Sequence, residues 1–349
     1  MLAPEMSSTE THMKREVAEI PAPTARFLDA ARPALAEAAQ ALQRLDPDVV
    51  ITVARGSSDH AAGYLKYAVE LLAGVPVASV GPSVASVYHR PLRLGRAAAI
   101  GISQSGQSPD IVEMMRAAGE GGALTIGITN SLGAPISQAC AHTLSLHAGV
   151  EKSVAATKTF VSSVVAGLAL LAEWQRDDAL RAAVAALPGQ FQAALACDWT
   201  PLADRLVTAG QAFVLGRGPG FAISNEMALK CKETCDLHAE SYSAAEVLHG
   251  PSALVKTRFP VLALGVEDAA LPHVIETAEK LAAQGADVFL TGPWPASGVR
   301  NLPAVTGGHP LTAPLVTVVS FYAFAERLAR RRGLNPDTPP NLRKETATV

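Results

Sequence analysis

The chain has 349 residues, 49% hydrophobic and 17% charged, with a formal net charge of −3. That length and apolar content fit about two globular domains and exclude a disordered chain. The near-neutral balance, the lack of long charge runs and 5% aromatics give no footing for a nucleic-acid or membrane-surface partner.

In chain order, residues 1–30 read as a leader without the apolar h-region of a signal peptide. Within it, Met13 to Pro23 is a short helical turn stopped by Pro21 and Pro23. Thr24 to Leu45 repeats Ala and Leu at helical period and predicts an amphipathic helix. Val49 to Ala54 is a buried strand ending in Arg55-Gly56-Ser57-Ser58, followed by a helix from Asp59 to Leu72. Val77 to Val80 is a second strand and Ala97 to Ile102 a third. The third strand runs into Ser103-Gln104-Ser105-Gly106-Gln107-Ser108-Pro109-Asp110, after which Ile111, Met114, Met115 and Ala118 recur at helical spacing.

That strand, hydroxyl-rich turn and helix start would aim backbone N–H groups and the positive end of a helix dipole at one spot. Ser103, Gln104, Ser105 and Ser108 can add hydrogen bonds, which suits a phosphate dianion. An ordinary serine-capped helix explains the same residues. Leu124 to Thr129 and Thr143 to Leu146 are the next strands. Ser153 to Trp174 reads as a long apolar helix whose first turn offers free N–H groups. Asp177 to Cys197 is a helix interrupted near Pro188, and Asp198 to Ala203 reads as a linker.

The second half repeats the first. Val53-Ala54-Arg55-Gly56 recurs as Leu215-Gly216-Arg217-Gly218, between a strand at Gln211 to Leu215 and a helix from Phe221 to about Thr234. Later strands are Val261 to Gly265 and Val288 to Thr291, and Leu315 to Arg331 is the last helix. Short buried strands alternating with helices predict an α/β fold of two doubly wound parallel sheets (αβα sandwiches) related by duplication. The predicted division is residues 31–197, residues 198–332 and a Pro-rich tail over residues 333–349. The stretch Leu311 to Ala325 is too short for a membrane span and contains Pro314.

Phe221 stands where a dinucleotide fingerprint needs its third glycine, and no phosphate-binding G-x-x-x-x-G-K-[ST] occurs. No cofactor and no metal site are expected. Cys140, Cys197, Cys231 and Cys235 lack disulfide-framework spacing, which fits a reducing, cytoplasmic setting. Glu226, Lys230 and Glu233 share one helical face, either as a solvated ion-pair ladder or as an acid–base pair able to move a proton between sugar carbons. His249, before Gly250-Pro251, lies in a turn and could shuttle protons. Lys344 is a tail lysine, solvated in the plain reading; desolvated, such a lysine can form a Schiff base.

Taken together, these stretches resemble the isomerase half of glutamine–fructose-6-phosphate amidotransferase, a pair of sugar-isomerase (SIS) domains. The resemblance covers nearly everything from Met13 to Val349. It rests on Arg55 to Ser58, Ser103 to Ser108, Ala228 to Glu233 through His249-Gly250-Pro251, and Asn341 to Lys344. It implies that Gly56, Ser57, Ser58, Ser103, Gln104, Ser105 and Ser108 form the sugar-phosphate pocket, with backbone contacts from Val154 and Ala155. It also implies that Glu233 moves a proton between C1 and C2, with Lys230 as its neighbour in the site. His249 would open the ring from the other subunit of a homodimer, and Lys344 would be the Schiff-base lysine.

The sequence departs from that family at three points. Arg55 replaces a cysteine, Arg343 replaces a small residue, and no cysteine stands near residue one to serve a glutaminase. Without an ammonia source the expected reaction is aldose–ketose isomerisation with deamination, glucosamine 6-phosphate giving fructose 6-phosphate and ammonia. The alternatives are an ammonia-dependent synthase, a fructosamine-6-phosphate deglycase and a non-catalytic sugar-phosphate sensor.

Overall fold

The structure is a computed structural model that describes residues 10–344; residues 1–9 of the leader and 345–349 of the tail lie outside the described residues. Three helices open it: α1 (His12–Glu19), α2 (Pro21–Ala30) and α3 (Arg32–Leu45). The first α/β unit follows as β1 (Val49–Val53), α4 (Ser57–Leu72), β2 (Val77–Ser79), α5 (Ser83–Ser86), β3 (Ala97–Ile102), α6 (Pro109–Glu120), β4 (Leu124–Thr129), α7 (Pro135–Ala139) and β5 (His142–Ser145). Helices α8 (Lys158–Gln175), α9 (Asp178–Ala194) and α10 (Thr200–Leu206) lead to the second unit. It comprises β6 (Gln211–Gly216), α11 (Pro219–Cys235), β7 (His238–Ser243), β8 (Pro260–Ala263), α12 (Leu271–Ala283), β9 (Asp287–Thr291), β10 (Arg300–Leu302) and α13 (Ala313–Arg331).

Each unit is a five-stranded, all-parallel sheet. The orders are β2-β1-β3-β4-β5 and β10-β9-β8-β6-β7. Read from its other edge, the second order is β7-β6-β8-β9-β10, the same winding as the first. The duplication therefore extends to topology. The equivalent glycines agree as well: Gly56 before α4 has φ 54° and ψ −133°, and Gly218 before α11 has φ 57° and ψ −136°. That region is costly for any side-chain-bearing residue, which explains a glycine in both copies.

Strand alternation divides the core. Val50, Ala98, Ile100, Ile102 and Ile126 from the first sheet join Val214, Leu262, Leu264 and Phe289 from the second in one continuous cluster with α4, α8, α11 and α13. The outer faces pack separately, Ile51, Val53 and Ala99 against α6, and Phe213, Leu215 and Val261 against α12. Helix α8 is buried along nearly its whole length, as its apolar run predicts. Among the described residues, no helix is long and apolar enough to cross a membrane.

Several predicted boundaries are corrected. Pro21 and Pro23 begin α2 rather than stop a turn; an early helical position needs no N–H. Helix α9 runs through Pro188, because buried Leu180, Val184, Leu187 and Phe191 on its core face outweigh the lost bond. The predicted linker contains most of α10, whose Leu202, Ala203 and Leu206 are buried. Helix α8 starts at Lys158, not Ser153. Strands β7 and β10 and helix α12 were not predicted. The edge strand β7 reads His-Ala-Glu-Ser-Tyr-Ser and is only partly buried, so it lacks an apolar run.

Candidate active site

In a 2-1-3-4-5 sheet the connections leave β1 and β3 on opposite faces, and a crevice opens beyond their carboxyl ends. Here it is a cleft of about 430 Å³, lined by Arg55 and Ser58 after β1 and by Ser103, Gln104, Ser105, Gln107 and Ser108 after β3; Lys344 of the tail lines it too. Gly106 makes the tight turn possible. Its φ is 66°, and a Cβ there would come within 2.8 Å of Ala134, Ile136 and Thr129. The Gly106 N–H donates to Ser103 Oγ at 3.1 Å and the Gln107 N–H to Ser105 Oγ at 3.3 Å. A hydroxyl oxygen that accepts in this way keeps its own proton to donate. Ser108 occupies the cap position of α6 but makes no side-chain cap bond. The ordinary capped-helix alternative is thus not what this side chain does.

The equivalent loop of the second unit, after β8, carries Glu267 and Asp268 in place of serines. Of this pair of loops, the hydroxyl-rich one belongs to the first copy.

Behind the cleft, α4 packs on α11, and α11 on α13. Glu226 sits at that junction, fully buried, and accepts from Ser57 Oγ at 3.2 Å and Tyr322 Oη at 2.9 Å; His60 Nδ1 lies 2.9 Å from its other oxygen. Lys230 Nζ is 3.6 Å from Glu226 and bonds Glu233. With Glu226 fully buried and Lys230 1% exposed, the solvated-ladder reading of this face does not hold. Burial works against the Lys230 ammonium, but the charges of Glu226 and Glu233 outweigh it and hold the group above the ordinary lysine range. Burial, then Glu226, pushes the Tyr322 phenol far up, so it remains a donor.

The tail is fastened at two points. Asp337 takes the His12 and Met13 N–H groups at the start of α1, both at 2.8 Å, and its carbonyl accepts the Val154 N–H at 3.1 Å. Lys344 Nζ donates to Glu151 Oε2 at 2.8 Å and to the Ser153 carbonyl at 2.7 Å. Desolvation acts to raise the Glu151 carboxyl; Lys344, Thr159 and the Thr157 N–H together bring it below its ordinary value.

Of the N–H groups predicted to be free over Ser153 to Lys158, those of Ser153, Val154 and Thr157 are taken. Glu151 takes those of Thr157 and Thr159, Glu16 takes those of Lys152 and Ser153, and Asp337 takes that of Val154. Val154 is thereby engaged with the tail, and Ala155 is buried.

The predicted residues thus separate into groups. Ser58, Ser103, Gln104, Ser105, Ser108 and Lys344 share the cleft; Gly56 and Ser57, between the lining residues Arg55 and Ser58, do not line it, and Ser57 bonds Glu226. Glu233 does not line it. It opens on a neighbouring cleft of about 670 Å³ whose walls include Pro339 to Leu342 of the tail. His249 ends an exposed 3-10 turn (Glu246–His249) and is not among the residues lining the serine cleft. Sequence reasoning missed Glu151, Asp110, His60 and Tyr322 as parts of the site. None carries a local signal, because each acquires its role from a partner far along the chain.

The SIS domain profile matches residues 46–173 and 205–292. Among curated relatives, the isomerizing glutamine–fructose-6-phosphate aminotransferase of Aquifex aeolicus is 33% identical over 310 residues, 86% of this chain and 52% of that protein. The enzyme of the same name from Halobacterium salinarum is 36% identical over 310 residues, 84% of this chain and 50% of that protein. The chain spans about half the length of these relatives. A crystal structure from Silicibacter pomeroyi, of a protein ascribed to the phosphosugar isomerases, is 52% identical and superimposes with a TM-score of 0.91, covering 94% of this chain and all of that one.

Proposed function

The chain belongs to the SIS-domain family, and on that premise we propose that it is an aldose–ketose isomerase that deaminates glucosamine 6-phosphate to fructose 6-phosphate and ammonia. The observation that carries the reading is a serine-lined cleft with an amine at its mouth, backed by a helix face holding a lysine between two carboxylates.

In this reading the phosphate lies among Ser58, Ser103, Gln104, Ser105 and Ser108. Binding energy from that remote group holds C1 and C2 at the carboxylates. His249 of a partner subunit opens the ring. Glu233 removes the C2 proton to give an enolamine and returns it at C1, leaving an imine at C2. Water adds to C2, and ammonia departs. Lys230 stays cationic and keeps Glu233 paired in its resting state. Once released from Glu151, Lys344 either pairs as a cation with a sugar oxygen or, after giving up a proton, condenses with the C2 carbonyl to an imine with loss of water. Tail residues stand between the two clefts, since Lys344 lines one and Pro339 to Leu342 line the other. A homodimer and a cytoplasmic setting complete the proposal.

The test is ammonia release from glucosamine 6-phosphate by the purified chain. Glu233→Gln should lower turnover by about 10²–10⁴-fold, the range for loss of a general base. Unchanged turnover in that variant would remove the assignment. The aminotransferase relatives favour a second reading, the reverse, ammonia-dependent synthesis from fructose 6-phosphate. Measuring glucosamine 6-phosphate formed from fructose 6-phosphate and ammonium salt separates the two directions.

A further inference from the structure

We propose that Arg55 is the cation of the phosphate subsite and that it offsets the Asp110 carboxylate it is anchored to, so that this pair sets how strongly the cleft takes a doubly charged phosphoryl group. The inference rests on the reading of the cleft as a phosphosugar site. It adds a residue to that site that neither the hydroxyl loop nor the catalytic face supplies.

The side chains of Ser58, Ser103, Gln104, Ser105, Gln107 and Ser108 are all neutral, and the positive charges lining the cleft come from Arg55 and Lys344. Lys344 is occupied by Glu151 and the Ser153 carbonyl. Arg55 is placed differently. Its Nε and Nη2 both donate to Asp110 Oδ2, at 3.1 and 3.0 Å, and neither bond uses Nη1. Asp110 is completely buried, and its Oδ1 accepts the Ile111 N–H at 2.9 Å. One edge of the guanidinium is therefore anchored to the protein, while half of the side chain remains exposed where it lines the cleft.

The anchor also solves an electrostatic problem. Asp110 lies in the first turn of α6, where the helix dipole welcomes an anion, and the chain has already placed one there. A second anion brought to the same helix end would be repelled by that carboxylate. Arg55 cancels it and still has donors for phosphate oxygens, because its planar fork carries five N–H groups against three on a lysine ammonium. Asp59 is a further nearby carboxylate, raised by burial against the opposing charges of His60 and Arg55.

The experiment is calorimetric titration of the full chain with inorganic phosphate and with glucitol 6-phosphate, which has no carbonyl to isomerise. Glucitol serves as the uncharged comparator. Arg55→Gln should weaken both phosphate compounds by about 10- to 100-fold, the worth of hydrogen bonds to a charged group, and leave glucitol unaffected. Arg55→Lys should recover part of that loss. Asp110→Asn should bind no more weakly than the wild type. The double variant Arg55→Gln, Asp110→Asn should bind more tightly than Arg55→Gln alone and more weakly than the wild type, because it lacks both the repelling carboxylate and the donors.

Wild-type affinity in Arg55→Gln overturns the proposal. If that variant does not fold, wild-type affinity in the double variant, which buries no unpaired carboxylate, overturns it. A wild-type chain that binds glucitol 6-phosphate no better than glucitol overturns the phosphosugar reading itself, and does so before any variant is compared.

Discussion

Glu151 shows how one side chain ties the tail to stability. It is fully buried, yet it accepts from Lys344, Thr157 and Thr159. Because its folded pKa lies below the ordinary 4.5, the folded chain binds fewer protons than the unfolded chain between those two values. The stability it contributes is present above about pH 4.5 and is lost as pH falls through the folded value. Lys344→Met removes the charge that opposes desolvation, so the carboxyl should rise above its ordinary value. Relative to the wild type, melting temperature should then fall as pH rises from about 5 to 7, through a carboxyl shifted upward by burial. Glu16 already has a carboxyl raised by burial, so the difference between the two proteins is the quantity to read. Parallel melting curves across that range would show that Lys344 does not govern Glu151. Nothing near Glu151 in sequence announces this role, since Lys344 lies at the other end of the chain.

At the scale of elements, the serine loop and the face of α11 were legible because strand runs and helical spacing are local properties. The start of α8 was not. Its apolar pattern extends back to Val154, but Glu151, Glu16 and Asp337 take the N–H groups of that segment and hold it out of the helix. Helix α1 is likewise more than a leader. Its first N–H groups grip Asp337, and Asp337 in turn grips Val154, so the chain's beginning positions its end. Asp337→Ala should cost about 0.5–2 kcal/mol, the worth of a helix cap. It should also speed carboxypeptidase removal of the tail and lower turnover without raising KM for the sugar phosphate. A tail cleaved at the wild-type rate would show that the strap does not hold it.

For the whole molecule, one apolar cluster runs from the first sheet through α4, α8, α11 and α13 to the second, so the two units share a core rather than merely touch. His249 ends an exposed 3-10 turn and does not line the serine cleft, and the proposed sharing of the site between subunits can be tested directly. Mixing inactive His249→Ala and Glu233→Gln chains, after subunit exchange, should restore up to about a quarter of wild-type activity if two-fold dimers share their sites. No recovery after verified exchange would place each site within one chain.

The amino-acid sequence alone determined the alternation of strand and helix, the doubling of the unit and the chemistry available in each loop. All of these follow from short-range spacing and backbone preference. Only the tertiary structure decided which loop of the two copies faces a cleft with a cation, and that Glu226 and Lys230 are buried rather than solvated. It alone fastened the tail across residues 151–154. Those outcomes depend on contacts between residues 55 to 193 positions apart, and local pattern carries no information about which distant carboxylate will meet which distant amine.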